Sequence, residues 1–301
     1  MADRKDLDYT YTMLDKIYRI CFGEVSDFSG AKYDGDFSIT LEQAQRKKHE
    51  FIAESLNIKK GSKVLDMGCG WGGFLKHLRE IGGKGTGVTL SAGQAKSCKR
   101  NGFDVYLMDC RTITPDTFGT FDAISAVGSF EAFCTEEDWQ AGKQDEIYNN
   151  FFKTAAGLLP VGGRLFVQTM VFGKNMIPAA EIDINAPRFT DAHMCALMQQ
   201  DYPGSWLPYG EEQITKNAAP YFKPVSKNSG RVDYIETQKQ WRKKFRDFGF
   251  KKYFLYLSLL PKFLFDSRFR RRLSPFDEDA NRLCFEREVL DHFRLVYHKV
   301  G

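Results

Sequence analysis

The chain of 301 residues lacks any apolar run near the ~20 residues that cross a bilayer, and its first twenty residues carry charges throughout instead of a secretory leader's apolar centre. A cytoplasmic protein is therefore expected. Its seven cysteines are scattered and form no C-x-x-C pair, which argues against a disulfide framework and a structural zinc site, and no His pair has metal-ligand spacing. No bound metal is expected. Charge of one sign is also missing: 43 Lys and Arg stand against 39 Asp and Glu, an excess of four that gives no reason to expect a nucleic-acid partner. Neither an internal repeat nor a low-complexity tract is visible. What the chain does have is 43% hydrophobic and 14% aromatic residues, enough to bury one large core, so 1-301 reads as a single domain with insertions.

The most informative ten residues are Val64-Leu65-Asp66-Met67-Gly68-Cys69-Gly70-Trp71-Gly72-Gly73. An apolar pair ending in Asp and running into G-x-G-x-G-G describes a buried parallel strand whose carboxyl end opens into a tight, ligand-facing loop. Gly68, Cys69 and Gly70 are expected against the ligand, while Gly72 and Gly73 let a helix from Phe74 to Ile81 begin close to the sheet. A dinucleotide site needs an acidic residue at the end of the next strand. That strand ends instead in Thr89-Leu90-Ser91-Ala92-Gly93-Gln94, and no Gly-Lys-Ser/Thr follows the glycines to make a phosphate loop. With D-x-G-x-G-x-G spacing and no phosphate to neutralise, S-adenosylmethionine is the better-fitting cofactor.

Strands are expected at Lys63 to Met67, Gly85 to Thr89, Asp104 to Met108, Phe121 to Ala126 and Gly163 to Thr169, with helical stretches between them, including Glu146 to Leu159. That alternation specifies an α/β fold with a mostly parallel sheet covered on both faces. Phe293 to Val300 reads as the last strand. From Val171 to Pro220 the pattern breaks into Met, Pro, Asn and aromatic residues, an insertion over the cofactor. The expected layout is an N-terminal helical cap (1-60), a cofactor-binding core (61-170), a substrate-binding insertion (171-220) and a C-terminal part (221-301).

V-L-D-M-G-C-G-W-G-G followed by G-V-T-L-S-A-G-Q resembles the cyclopropane fatty acid synthase family of class I methyltransferases, which also includes the mycolic acid methyltransferases. Ile39-Thr40-Leu41-Glu42-Gln43-Ala44-Gln45 resembles the family's T-L-E-x-A-Q helix start, and Phe28-Ser29-Gly30-Ala31-Lys32-Tyr33 its Y-S-C-A-Y-F segment. Val127-Gly128-Ser129-Phe130-Glu131 is similar to G-x-F-E-H, and Tyr202-Pro203-Gly204, Leu207-Pro208 and Asp233-Tyr234 ahead of Trp241 extend the likeness over roughly residues 25 to 245.

The resemblance implies a Rossmann-like class I methyltransferase with a central, mostly parallel seven-stranded sheet and a helical substrate-binding insertion, the last strand entering antiparallel. It also implies a cofactor site. Gly68, Cys69 and Gly70 then face the methionine and ribose, Thr89, Ser91 and Gln94 the ribose hydroxyls, Asp109, Cys110 and Arg111 the adenine, with Phe28 and Ser29 closing over the methionine end. Where the family carries Trp-Glu at the adenine position this chain has Cys110-Arg111. When an alkene attacks a sulfonium methyl, a base must remove a proton from the resulting cation. In the family a bicarbonate ion is thought to serve, held by Cys, Glu, His, Tyr and a backbone amide. Glu131 and Tyr234 match the Glu and Tyr and are the catalytic candidates, but Gly30 and Gln168 replace the Cys and His. Glycine offers only backbone and glutamine no charge. Either the ion is held through Glu131, Tyr234 and amides, or Glu131 is itself the base, or the acceptor needs no such ion; as a bland alternative, Glu131 is a carboxylate favoured by a helix N-terminus.

Residues 251-273 join Tyr253-Phe254-Leu255-Tyr256-Leu257 and Phe263-Leu264-Phe265 to Arg268, Arg270, Arg271 and Arg272. Such a segment suits peripheral membrane contact, a lipid head group or an acyl-carrier protein, or else is a helix packed on the sheet with a solvated basic end. The expected activity is S-adenosylmethionine-dependent cyclopropanation or C-methylation of an unsaturated fatty acyl chain. Its alternatives are a small-molecule C- or N-methyltransferase and a non-catalytic S-adenosylmethionine-binding protein.

Overall fold

The computed structural model describes residues 15–23, 25–202, 204–273 and 279–301; Pro203 and the side chains of Arg268, Arg271 and Arg272 lie outside the described set. In chain order the elements are α1 (15–22), α2 (Leu41–Ser55), β1 (Lys63–Met67), α3 (Gly73–Glu80), β2 (Lys84–Thr89), α4 (Ala92–Arg100), β3 (Asp104–Leu107), α5 (Pro115–Phe118) and β4 (Ala123–Val127). Next come α6 (Glu136–Gln140), α7 (Gln144–Gly157), β5 (Arg164–Phe172), α8 (Asp191–Asp201), α9 (Gly210–Ala218) and β6 (Phe222–Ser229). The chain continues through α10 (Arg231–Arg246), α11 (Phe250–Phe265), α12 (Ser267–Leu273), α13 (Ala280–Glu286) and β7 (Leu290–Lys299). Among the described residues no helix is long and apolar enough to cross a membrane.

The seven strands form one sheet in the order β3-β2-β1-β4-β5-β7-β6, parallel from β3 to β5, with β7 antiparallel to both β5 and β6. Alternating side chains feed two cores, as the two-residue period of a strand requires. Leu65, Ile124, Leu165 and Val167 meet α7 and α9 on one face, whereas Val64, Ala123 and Phe166 meet α2, α3 and α4 on the other. Burial on both faces explains why β1 reads as a near-continuous apolar run. Helix starts follow local chemistry: Thr40 closes a capping box with Gln43, Ser91 accepts from the Gln94 amide at 3.3 Å, and Thr135 closes a box with Asp138.

The expected strands all form, with boundaries displaced by at most three residues and those of β1 unchanged. β6 has no counterpart among the expectations. It is an edge strand with Pro224 and a bulge between Pro224 and Ser226, and most of its side chains face solvent, so it has no apolar alternation to read. Within 171–220, α9 packs on α7 and the sheet.

Candidate active site

In an open parallel sheet a ligand crevice forms where the strand order reverses, and here β1 and β4 are the neighbours at that point. A cleft enclosing about 1190 Å³ of atom-free space opens there, bordered by Asp27, Phe28, Asp66, Gly70, Ser91 and Ser129 among others. All eleven of the residues expected to hold the cofactor line it.

The glycines do different work. Gly70, at φ +54°, has no atom within 4 Å of the place a Cβ would occupy, so its backbone is bare to the cleft. Gly68 is glycine for packing: a Cβ there would lie 2.4 Å from that of Ser129, whose hydroxyl donates to the Met67 carbonyl at 2.6 Å and ties β1 to the loop after β4. Gly73 leaves room for the Asp27 carboxylate, 3.0 Å from a virtual Cβ, and so admits a charged group where close helix–sheet packing was expected. Cys69 lines the cleft, but its side chain belongs to the core beneath, where Sγ would abut a Cβ at Gly87.

Thr89 donates to the Gln94 side-chain oxygen at 2.7 Å and accepts from the Ser91 amide at 3.2 Å, which fixes the turn into α4. At the other end of the cleft Arg111 Nε lies 3.0 Å from each Asp109 oxygen, so an ion pair flanks Cys110. Burial pushes the neighbouring Cys110 thiol up to about 12 and keeps it protonated. Phe28 stacks on Trp241 at 4.1 Å, and Ser29 donates to Asp27 at 2.7 Å. The cleft therefore fits S-adenosylmethionine: bare backbone at Gly70, buried hydroxyls and an amide for a ribose, and carboxylates for a sulfonium-bearing amino acid.

Sequence reading missed a charged group on the cleft wall. Asp27 is bonded to Lys48 at 2.8 Å and to His49 Nε2 at 2.6 Å, with Lys48 also on Ser29 Oγ at 2.6 Å. Burial works to raise the Asp27 carboxyl, but Lys48 and His49 overcome it and hold it far below the usual carboxylate range. Asp66 is the opposite case, pushed up to about 7 by burial although the Ser125 hydroxyl donates to it at 2.8 Å. Lys48 and His49 sit in α2 among exposed charged residues, and nothing in their spacing marks them as buried.

Beyond Ser129 a single turn, Phe130–Ala132, separates the cleft from a second cavity of about 610 Å³ of atom-free space. Met170, Met176, Met198, Phe172 and Trp206 make its wall largely apolar, and among the described residues Glu131 is the only carboxylate in its lining. The carboxylate accepts from the Met170 amide at 2.8 Å through Oε1, while the buried Oε2 has no partner. Burial pushes this carboxyl up to about 7 against the pull of the Met170 N–H. Glu131 lies in the first turn of a helix only three residues long, and its carboxylate also reaches across to β5.

The remaining candidates do not converge on open space. Tyr234 lines neither cavity; its ring lies parallel to His292 at 4.9 Å and edge-on to Phe285 and Trp241. Gln168 donates to the Gly30 carbonyl at 2.9 Å and accepts from Arg294 Nε at 3.3 Å, so its amide is committed at both ends. A Cβ on Gly30 would lie 2.7 Å from Tyr234 Cδ2 and 3.1 Å from His292. Gly30 and Gln168 do not fit bicarbonate, because the Tyr234 and His292 rings crowd the one and the amide of the other is satisfied within the protein. Accordingly Gly30→Cys, which restores the family residue, is expected to lower stability by about 1–3 kcal/mol in urea denaturation, since neither stacked ring has room to retreat. A variant as stable as the parent would show that the space is open. Among the described residues no cluster of His, Cys, Asp and Glu is placed to hold a metal ion.

The family model described as mycolic acid cyclopropane synthetase matches residues 1–251. Hydroxymycolate synthase MmaA4 of Mycobacterium bovis is 25% identical over 245 residues, covering 79% of this chain and 76% of that protein. Cyclopropane mycolic acid synthase 3 of Mycobacterium tuberculosis is 26% identical over 206 residues, 66% and 67% of the two chains. Among solved structures, mycolic acid cyclopropane synthase CmaA1 complexed with SAH and CTAB superposes with a TM-score of 0.76 at 21% identity, covering 99% of this chain and 98% of that one.

Proposed function

The chain belongs to the mycolic acid cyclopropane synthetase family, and from that footing we propose that it transfers a methyl group from S-adenosylmethionine to an unsaturated fatty acyl chain, with Glu131 as the proton acceptor. The carrying observation is the Glu131 carboxylate, buried at the junction of a polar cleft and an apolar cavity, with one oxygen anchored and the other unpartnered.

Bound in the cleft, the cofactor supplies an electrophilic methyl on a sulfonium centre. The apolar cavity takes the acyl chain by excluding water from it, and its double bond is held toward the cleft past the turn that carries Glu131. Carbon–carbon bond formation leaves a cation on the adjacent carbon. Glu131 Oε2 then takes a proton. If it comes from the new methyl group, the freed C–H pair closes a cyclopropane; if it comes from a neighbouring carbon, a methyl branch beside a double bond results. The Met170 N–H fixes Oε1 so that Oε2 is the oxygen presented. Tyr234, which borders neither cavity, has no chemical step here and holds His292 in place. The acyl group is presented on a lipid or a carrier.

Expression in cells fed methionine with an isotope-labelled methyl group tests this reading by mass spectrometry of total lipids. Unsaturated acyl chains heavier by one labelled CH₂ are the expected result; an unchanged lipid profile beside demonstrated cofactor binding would shift the acceptor to a small molecule. A second test is the pH profile. Glu131 accepts a proton only when ionised and burial sets its carboxyl at about 7, so kcat is expected to rise with pH through about 7 and then level off. A kcat independent of pH across that range would remove Glu131 from the proton transfer.

A further inference from the structure

Helix α11 is apolar on two opposite sides. Leu255, Tyr256 and Leu259 pack on a small core made by Ile17, Tyr18, Cys21, Trp71 and Phe269, and the Tyr256 hydroxyl donates to the Phe245 carbonyl at 3.1 Å. The helix is thus moored on α1 and Trp71, whereas packing on the sheet was one of the sequence-based expectations. Turned a half-circle away, Phe250, Tyr253, Phe254, Leu257, Leu260 and Leu264 face solvent at intervals of three and four residues, with Phe254 65% and Phe265 87% exposed. These positions make an uninterrupted apolar stripe along a helix of 16 residues, roughly 24 Å at 1.5 Å per residue. Lys251, Ser258 and Lys262 lie together along one flank of it by the same helical spacing.

A monomer rarely exposes so long an apolar face without a partner for it. The local charge identifies which one. Residues 251–273 hold seven Lys and Arg against the single Asp266, a surplus of six in a chain whose total surplus is four. The family match ends at residue 251, so almost all of this segment lies outside what the family model describes.

We propose that α11 is a membrane-docking helix, lying in the plane of an anionic bilayer with its solvent-facing stripe among the acyl chains and its basic flank against the head groups. A bilayer satisfies both halves of the pattern: apolar area is buried in the acyl boundary while Lys and Arg meet anionic phosphates. An acidic carrier protein would answer the charge and leave the stripe wet. The docking side chains are on the face opposite the mooring contacts, so α11 can enter the interface without leaving α1. This rests on the acyl-chain reading above only for what is collected at the surface; the docking itself is independent of it.

The test is cosedimentation of the full chain with vesicles of phosphatidylcholine alone and of phosphatidylcholine mixed with phosphatidylglycerol, at low and high salt. The chain is expected to bind the anionic vesicles and to be released by salt. Phe254→Ser with Leu257→Ser should weaken binding about tenfold or more through lost apolar burial, and Lys251→Glu with Lys262→Glu about fivefold or more. Methyl transfer to a detergent-dispersed acyl substrate should be unchanged in all four positions, which lie outside both cavities. The proposal is overturned if the parent chain ignores anionic vesicles, if the apolar substitutions leave binding intact, if they instead dissolve a dimer of this chain, or if only an acidic acyl-carrier protein is retained. Vesicle binding without methyl transfer to any lipid would leave the docking helix standing and refute the acyl-transfer reading alone.

Discussion

Glu131→Gln is expected to cut turnover by at least ~100-fold, the scale of a positioned base, while leaving cofactor affinity unchanged. Glutamine has the same shape and keeps an oxygen to accept from the Met170 amide, so the turn Phe130–Ala132 has no reason to move. What it cannot do is take up a proton. The stability of the variant separates chemistry from architecture. The native carboxylate is buried and leaves one oxygen unpartnered, so its charge costs folding free energy, and removing that charge should leave the urea midpoint level or higher. A structural carboxylate would behave the other way, with stability lost and turnover following it. Cofactor binding measured by calorimetry, single-turnover rate and urea midpoint together decide the matter, and wild-type turnover in the variant would end the assignment.

Arg294→Met is expected to destabilise the fold by about 3–5 kcal/mol, the range for removing one partner of a buried ion pair. Arg294 is fully buried and spends its donors on Asp233 at 3.0 Å, Asn228 at 2.9 Å, the Ala31 carbonyl at 2.7 Å and Gln168 at 3.3 Å. Methionine fills the volume and answers none of these. Asp233 would keep the Tyr33 and Asp34 amides, at 3.1 and 3.0 Å, but lose its counter-charge inside the protein. The second substitution Asp233→Asn, made in the Arg294→Met background, should recover part of the loss because the stranded charge is then gone. Equilibrium urea unfolding measures both, and a cost below about 1 kcal/mol for the single variant would mean that water reaches the site.

These two residues also mark how far the sequence could be read. Glu131 follows a strand and a glycine–serine pair, which is a local signal, and the glycine loop with Thr89, Ser91 and Gln94 is local too; all of them border the two cavities. The parallel strands were legible because burial on both faces leaves apolar runs. Arg294 was not, since in sequence it is one cation in an alternating strand, and its partners Gln168 and Asp233 lie 126 and 61 positions away. Asp27 with Lys48 and His49 failed for the same reason. Charges on a helix are read by default as solvated, and only tertiary packing brings that wall of α2 against residues 26–29. Gln168 illustrates a subtler limit: its departure from the family residue was visible, but not that its amide would be fully engaged within the protein.

The position of β7 has a consequence for how the chain is assembled. It is paired with β5 through nine residue pairs and with β6 on its other side, so a strand in the interior of the sheet is made more than a hundred residues after its neighbour β5. During synthesis β1 to β5 can pair as they emerge, leaving the edge of β5 open for the time it takes to make more than a hundred further residues. An open strand edge is a template for pairing with another chain. Completion of the sheet, and with it the Gln168–Arg294 contact, therefore waits until residues 290–299 have been made. Removal of residues 290–299 is a folding lesion as much as a loss of sequence, and chains that lack them keep the β5 edge open.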